Sequence, residues 1–275
     1  LSASSAPGRA MQVGNPNLLQ LPILGTNVTD FAQAREIESL AGTRYMRQRT
    51  RPAPIRSLPL DIPAREVDLT VDGRPVIGVE AGSLAPMPLR PAGTVAITGP
   101  AQSGRTNTVR WLARSVHRAF PNAVMLHASA RRSLVAREPL WTETAQGADK
   151  IASMLMKHAH LFEEEAPDNT PGVVLFVEGI GEFSFSACDQ QLQDAIASSK
   201  ANGHLVVAEA DVSGWSFGGS LASGVRSGRT GIVLCPSPGE GENAVGVAVP
   251  GVSGREAVPG RGYFVQSGKQ WKVQV

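Results

Sequence analysis

The stretch TVAITGPAQSGRTNTVRWLARSVHRAF, residues 94–120, decides how the rest of the chain is read. A short apolar run, TVAIT (94–98), feeds a glycine-containing loop, GPAQSGRT (99–106), and the loop feeds an amphipathic helical stretch over 106–120. Strand, loop and helix in that order are the context a phosphate-binding loop, G-x-x-x-x-G-K-[ST], requires, and a chance glycine-rich match lacks it. Such a loop holds an anion through backbone N–H groups that converge at a helix N-terminus, where the dipole favours negative charge. Gly99 and Gly104 supply the backbone freedom, and Thr106 stands where its hydroxyl would reach a Mg²⁺ ion. Arginine stands at 105 in place of lysine. Its planar fork keeps the charge but does not fit a slot shaped for a compact ammonium, so nucleotide binding is expected to outlast fast phosphoryl transfer.

From the loop outward the pattern is strand–helix alternation. Strands are expected at 123–128 (AVMLHA), 173–178 (VVLFVE), 204–210 (HLVVAEA) and 231–235 (GIVLC), and helices at 147–165 and 188–203. Ile151, Leu155, His158 and Phe162 recur at helical spacing on one face. Fully apolar strands that alternate with helices imply a mainly parallel sheet with both faces covered. Before the loop, VDLTV (67–71), PVIGVE (75–80) and PMPLRP (86–91) read as a small antiparallel sheet. The first 60 residues are Pro-, Ser- and polar-rich, with one helical stretch at 29–46 that Asp30 would cap and Gly42 would end.

A phosphate loop acts with acids at the end of a central strand, one for the magnesium shell and the next to polarise water. VVLFVEGIGEF (173–183) places Glu178 at the first position and Gly179 at the second. Glu182 lies further along and would reach the site only by an unusual path. The plainer reading makes Glu178 and Glu182 ordinary acids of a loop after a strand. The loop and the strand are nonetheless altered together, as in a degenerate site.

Composition narrows the choice of function. The 275 residues include 42% apolar and 18% charged side chains, enough for a large α/β domain. Aromatics are 5%, and 26 basic residues nearly balance 24 acidic ones, so neither base stacking nor a DNA footprint is indicated. The most basic segment, 44–56, is Pro-containing and reads as a solvated linker. Cys188 and Cys235 form no C-x-x-C, and His158 and His160 point to different faces of a helix, so a metal clamp and a disulfide framework are both disfavoured. No stretch approaches the roughly 18 consecutive apolar residues of a membrane span.

APGRAMQV (6–13) and VPGRGYFV (258–265) repeat at a separation of about 250 residues, each followed by a Gly-containing turn and a short strand. Chance similarity around a Pro-Gly turn would produce such a pair. Otherwise a terminal hairpin closes each module of a tandem array, and the chain starts with the tail of a preceding one. The expected division is 1–54, tail and linker, and 55–275, the ATPase-like domain.

GPAQSGRT, VVLFVEGIGEF, GHLVVAEA (203–210), SGRTGIVLCPSPGEGE (227–242) and PGRGYFV together resemble FtsK/SpoIIIE-type RecA-like ATPase domains. The likeness is closest to the last tandem module of EccC, the membrane-anchored ATPase of type VII secretion, and covers about residues 55–275. The resemblance implies a RecA-like P-loop core with ATP and Mg²⁺ at the carboxyl ends of the strands. Carried over by position, the nucleotide contacts are Gly99, Pro100, Ala101, Gln102, Ser103, Gly104, Arg105, Thr106 and Asn107. Thr106 and Glu178 face the metal, and Glu178 is the candidate catalytic acid. It further implies a cytoplasmic domain of a membrane-anchored complex, partnered by preceding modules of the same chain, by WXG100-type substrates bound through a C-terminal signal, and by copies of itself in a hexamer. The polar position expected after the LVVA strand holds Glu209, a third departure that weakens hydrolysis and leaves binding open. Leu161, Phe162, Phe183 and Phe185 read as core rather than docking surface. The competing reading, from another class, is an active DNA-translocating ATPase; near-neutral charge and the altered site count against it. A third is an interaction domain with an empty loop.

Overall fold

A computed structural model describes residues 9–11, 18–42 and 57–275, in two units, Leu1–Ile55 and Arg56–Val275. In the first unit β1 (Arg9–Met11) pairs antiparallel with β2 (Leu18–Gln20), and helix α1 spans Asp30–Ala41. Thr29, not Asp30, caps that helix: the Thr29 hydroxyl accepts the Ala32 N–H, while Asp30 is already helical. A threonine one residue earlier reaches the free first-turn donors, and Asp30 stays in the first turn, where the dipole favours its charge. Gly42 ends the helix as expected. Residues 43–46 of the expected helix and the basic segment 44–56 lie outside the described residues.

The second unit begins with β3 (Thr70–Val71), β4 (Arg74–Glu80) and β5 (Pro86–Pro88), the small antiparallel sheet expected there. The alternating part follows as β6 (Gly93–Thr98), α2 (Arg105–Ala119), β7 (Val124–Ser129), β8 (Glu143–Gln146), α3 (Ala148–Glu163), β9 (Val173–Glu178), α4 (Asp189–Asn202) and β10 (Leu205–Glu209). Two short helices, α5 (Val212–Phe217) and α6 (Gly219–Arg226), lead to β11 (Thr230–Leu234). A single turn, α7 (Glu242–Val245), precedes the hairpin β12 (Arg261–Gln266) and β13 (Lys269–Gln274). Strand β8 and helices α5 and α6 have no counterpart in the sequence reading, because four to eight residues carry too little periodicity to register.

All of these strands join one 11-stranded sheet in the order β3-β4-β13-β12-β11-β6-β10-β9-β7-β8, with β5 alongside β4. The run from β11 to β8 is parallel throughout, and the hairpin adds antiparallel strands at one side. The fold is therefore the α/β P-loop architecture expected from the alternation. Alternate residues of each central strand enter two cores. Val95, Ile97, Val174, Phe176 and Val207 pack with Val109, Leu112 and Val116 of α2 on one face. Ala96, Leu175, Val177, Val206 and Ala208 pack with Ile151, Leu155 and Phe162 of α3 and Leu192 and Ile196 of α4 on the other. His158 lies on the same α3 face but meets Glu143 Oε2 at 2.9 Å instead of joining the core.

The terminal hairpin is anchored from inside. Arg261 is fully buried, and its Nε donates to Gln274 Oε1 at 2.9 Å across the hairpin. Its Nη2 donates to the carbonyls of Leu58 (3.4 Å) and Pro59 (2.6 Å), the first described segment of this unit. The two copies of the sequence repeat share this register: Arg9 stands opposite Gln20 just as Arg261 stands opposite Gln274. Arg261→Ala would leave a buried amide oxygen and two carbonyls short of a donor and open a cavity. The expected cost is about 2–4 kcal/mol, read as a lower urea midpoint at unchanged slope.

Candidate nucleotide site

The loop between β6 and α2 rests on the turn that precedes β12. Gly260 N–H donates to the Ser103 carbonyl at 2.8 Å, and a Cβ on Gly104 would lie 2.8 Å from Gly260 N. Gly104 is left-handed (φ +97°), so only glycine meets both demands at that position. Gln102 also takes a left-handed backbone (φ +64°), and the Ser103 hydroxyl is buried without a partner among the described residues. No side chain caps α2. The N–H groups of Arg105, Thr106 and Asn107 in its first turn have no carbonyl four residues back in the helix to accept them, which is what a phosphate acceptor requires.

Beside this helix start lies a cavity of about 720 Å³. Arg105 and Thr106 line it from α2, Glu178 and Gly179 from the end of β9, and Glu209 and Asp211 from the end of β10. Thr106 and Glu178, the expected metal pair, thus share one space, whereas Gly99 through Gly104 and Asn107 do not line it. A hydroxyl and a carboxylate are hard oxygen donors suited to Mg²⁺, which takes few protein ligands and completes its shell from phosphate and water. Among the described residues no cluster of three or more His, Cys, Asp or Glu forms an all-protein metal cage. The uncapped helix start, the cavity and this donor pair therefore fit a magnesium nucleotide, and Thr106 and Glu178 would hold the metal.

Other features answer to each other rather than to a ligand. Arg105 Nη1 lies 2.6 Å from Glu209 Oε1, an ion pair between the loop helix and the neighbouring strand end. Glu209 Oε2 also accepts the Gly179 N–H at 3.2 Å. Burial pushes the Glu209 carboxyl above its ordinary range, and Arg105 and the Gly179 N–H oppose that rise. Glu178 Oε1 meets His127 Nε2 at 2.7 Å and accepts the Ser133 hydroxyl. Gly179 is left-handed (φ +74°), and a Cβ there would lie 3.2 Å from Glu182 Oε1. A second acid at 179 would be strained and crowded, and Glu182, which lines the cavity, pairs with Arg131 at 3.2 Å.

The sequence reading missed His127 and Ser133, and with them Arg131, Arg132 and Asp211 on the cavity wall. A signal existed for His127: it is the polar residue in the otherwise apolar run AVMLHA, and it is fully buried. Phe162 and Phe183 are core, as expected. Phe185 is not; it is 96% exposed and left-handed (φ +62°), because its backbone N–H turns to Asp189 Oδ2 at 2.6 Å and sends the ring outward.

A parallel sheet with a glycine loop leading into an uncapped helix start, and an acid-bearing strand one strand away, is the P-loop NTPase fold. No protein-family model matches the chain, and no curated protein matches it. Solved structures do. EccC ATPases 2 and 3 of Thermomonospora curvata, in complex with a signal sequence peptide, superpose with a TM-score of 0.63 at 20% identity over 98% of this chain and 53% of that one. EssC ATPases 2 and 3 of Geobacillus thermodenitrificans give 0.64 at 20% identity over 100% and 56%. The pCW3 conjugation coupling protein TcpA, solved with ATPγS, gives 0.51 at 12% identity over 78% and 70%. The chain spans about half the length of the EccC and EssC chains it matches, and it shares their fold. Among the described residues no helix is long and apolar enough to cross a membrane.

Two outcomes follow from the geometry. Gly179→Ala should cost about 1–2 kcal/mol, read by urea unfolding, because an L-residue is forced into a left-handed backbone beside Glu182. Glu209 binds its proton more tightly in the folded chain than in the unfolded one, so its contribution to stability falls as pH rises from the ordinary carboxylate range through the raised folded value. Unfolding of the wild type and Glu209→Gln at pH 5 and pH 7.5 should show the glutamine variant gaining relative stability at the higher pH.

Proposed function

We propose that Arg56–Val275 is a nucleotide-holding module of a type VII secretion ATPase of the EccC kind, which binds ATP with Mg²⁺ and hydrolyses it little or not at all. One observation carries this reading: an uncapped helix start that faces a strand end whose second acid position is a left-handed glycine. The first half of that pairing serves phosphate binding, and the second withholds a carboxylate that would polarise water. Within the site Thr106 and Glu178 position the metal, His127 and Ser133 fix the Glu178 carboxylate, and the Arg105–Glu209 pair occupies the lysine's ordinary place. Bound nucleotide supplies the negative charge that the α2 amides are left to accept.

The shared fold of the EccC and EssC modules supports the wider role. In that role the domain docks secreted substrates of the WXG100 type and regulates a motor formed with preceding modules of the same chain and with further copies in a hexamer. It would act as a cytoplasmic part of a membrane-anchored complex. The Arg–Gln register shared by the two hairpins supports the division into a preceding module's tail, 1–54, and the domain, 55–275. The signal peptide in the EccC complex belongs to that protein, and it makes a peptide of the same class the probe for docking here.

Phosphate release from saturating Mg-ATP should stay well below about one turnover per second, whereas a rate at or above it would restore the active-ATPase reading. Calorimetric titration with Mg²⁺ present should show saturable nucleotide binding, and its absence would leave only an interaction domain. Salt-dependent DNA binding at physiological ionic strength would favour the translocase reading instead.

A further inference from the structure

The following inference rests on the nucleotide-holding reading and concerns which nucleotide the site takes. We propose that Glu209 sets its phosphate specificity, so that the site holds nucleoside diphosphates in preference to triphosphates.

Arg105 is the first residue of α2, and its guanidinium pairs with Glu209 at 2.6 Å. The Glu209 carboxylate is fixed on its other side by the Gly179 N–H, so it stands between the helix start and the ends of β9 and β10. Both side chains are mostly buried, at 23% and 13% exposed for Arg105 and Glu209. Buried pairs of this kind resist separation, because removing one partner strands a charge away from water. Glu178, Glu182 and Asp211 line the same wall. Arg131 is paired with Glu182, and Arg132, at the exposed rim, is the one cavity arginine without a partner among the described residues.

The first phosphates of a nucleotide need only backbone donors, and the uncapped first turn of α2 supplies them. A terminal phosphate is different. It adds negative charge to a cavity lined by Glu178, Glu182, Glu209 and Asp211, of whose three arginines Arg105 and Arg131 are already paired. To recruit Arg105, that phosphate must displace Glu209 and leave a buried carboxylate unpaired. A lysine in this loop with an uncharged residue on the neighbouring strand would carry no such penalty. Magnesium held by Thr106 and Glu178 offsets part of the repulsion for either nucleotide, so it does not cancel the difference.

The test is a comparison of ADP and ATP affinities at pH 8 with fixed Mg²⁺, by calorimetry, for the wild type and Glu209→Gln. Glutamine keeps the shape and can still accept the Gly179 N–H, but it carries no charge. The wild type should bind ADP at least about tenfold more tightly than ATP. In the variant the ratio should fall to within about threefold, with ATP binding tightened more than ADP binding. A wild-type ratio near one or in favour of ATP overturns the proposal, and that measurement needs no variant to fold. A ratio left unchanged by Glu209→Gln also overturns it, while tight binding of both nucleotides leaves the nucleotide-holding reading intact. If the wild type binds neither nucleotide, both readings fall together.

Discussion

Strand β10 keeps β6 and β9 one strand apart, and the site depends on that spacing. Parallel pairing sets Val207 level with Val95 on one side and with Phe176 on the other, so the three strands end together. Two inter-strand gaps of about 4.8 Å then separate the loop-bearing end from the acid-bearing end. The residue that closes β10 necessarily stands between the phosphate loop and Glu178. In this chain that residue is Glu209, and Arg105 pairs with it at 2.6 Å.

Around that gap the charged groups form one arrangement. Arg105 pairs with Glu209, Glu209 accepts the Gly179 N–H, and Gly179 is left-handed, which strains any side chain placed there. Glu178 is held by His127, which is fully buried on the next strand over, and by Ser133. A site that had merely lost residues would leave buried charges unpaired, at a cost of several kcal/mol each. Here Arg105, Glu209 and Glu178 each have a hydrogen-bonded partner.

The second dependency runs through the hairpin. The phosphate loop leans on the Pro259–Gly260 turn, and the hairpin behind that turn is tied by Arg261 to Leu58 and Pro59. The loop's position is therefore set from outside the parallel core, by the strands at its antiparallel side. The sequence repeat sets Arg9 opposite Gln20 in the same strand register.

The sequence by itself determined the parallel core and the place of the candidate site. TVAIT, VVLFVE and HLVVAEA carry unbroken apolar centres because both faces of a central parallel strand are covered, and no tertiary knowledge is needed to see it. The loop, Thr106 and Glu178 were equally legible, since a motif read with its flanking strand and helix is local information. Only the tertiary structure decided what each charged group does. That Arg105 meets Glu209, 104 residues away, that His127 meets Glu178, and that Phe185 points outward while Phe183 is buried all depend on strand order and register. Side-chain chemistry is written in the sequence, but pairing between distant carboxylates and cations is set by which strand ends the sheet brings together. Hydrogen-bonded register fixes that in space, and sequence separation carries no trace of it.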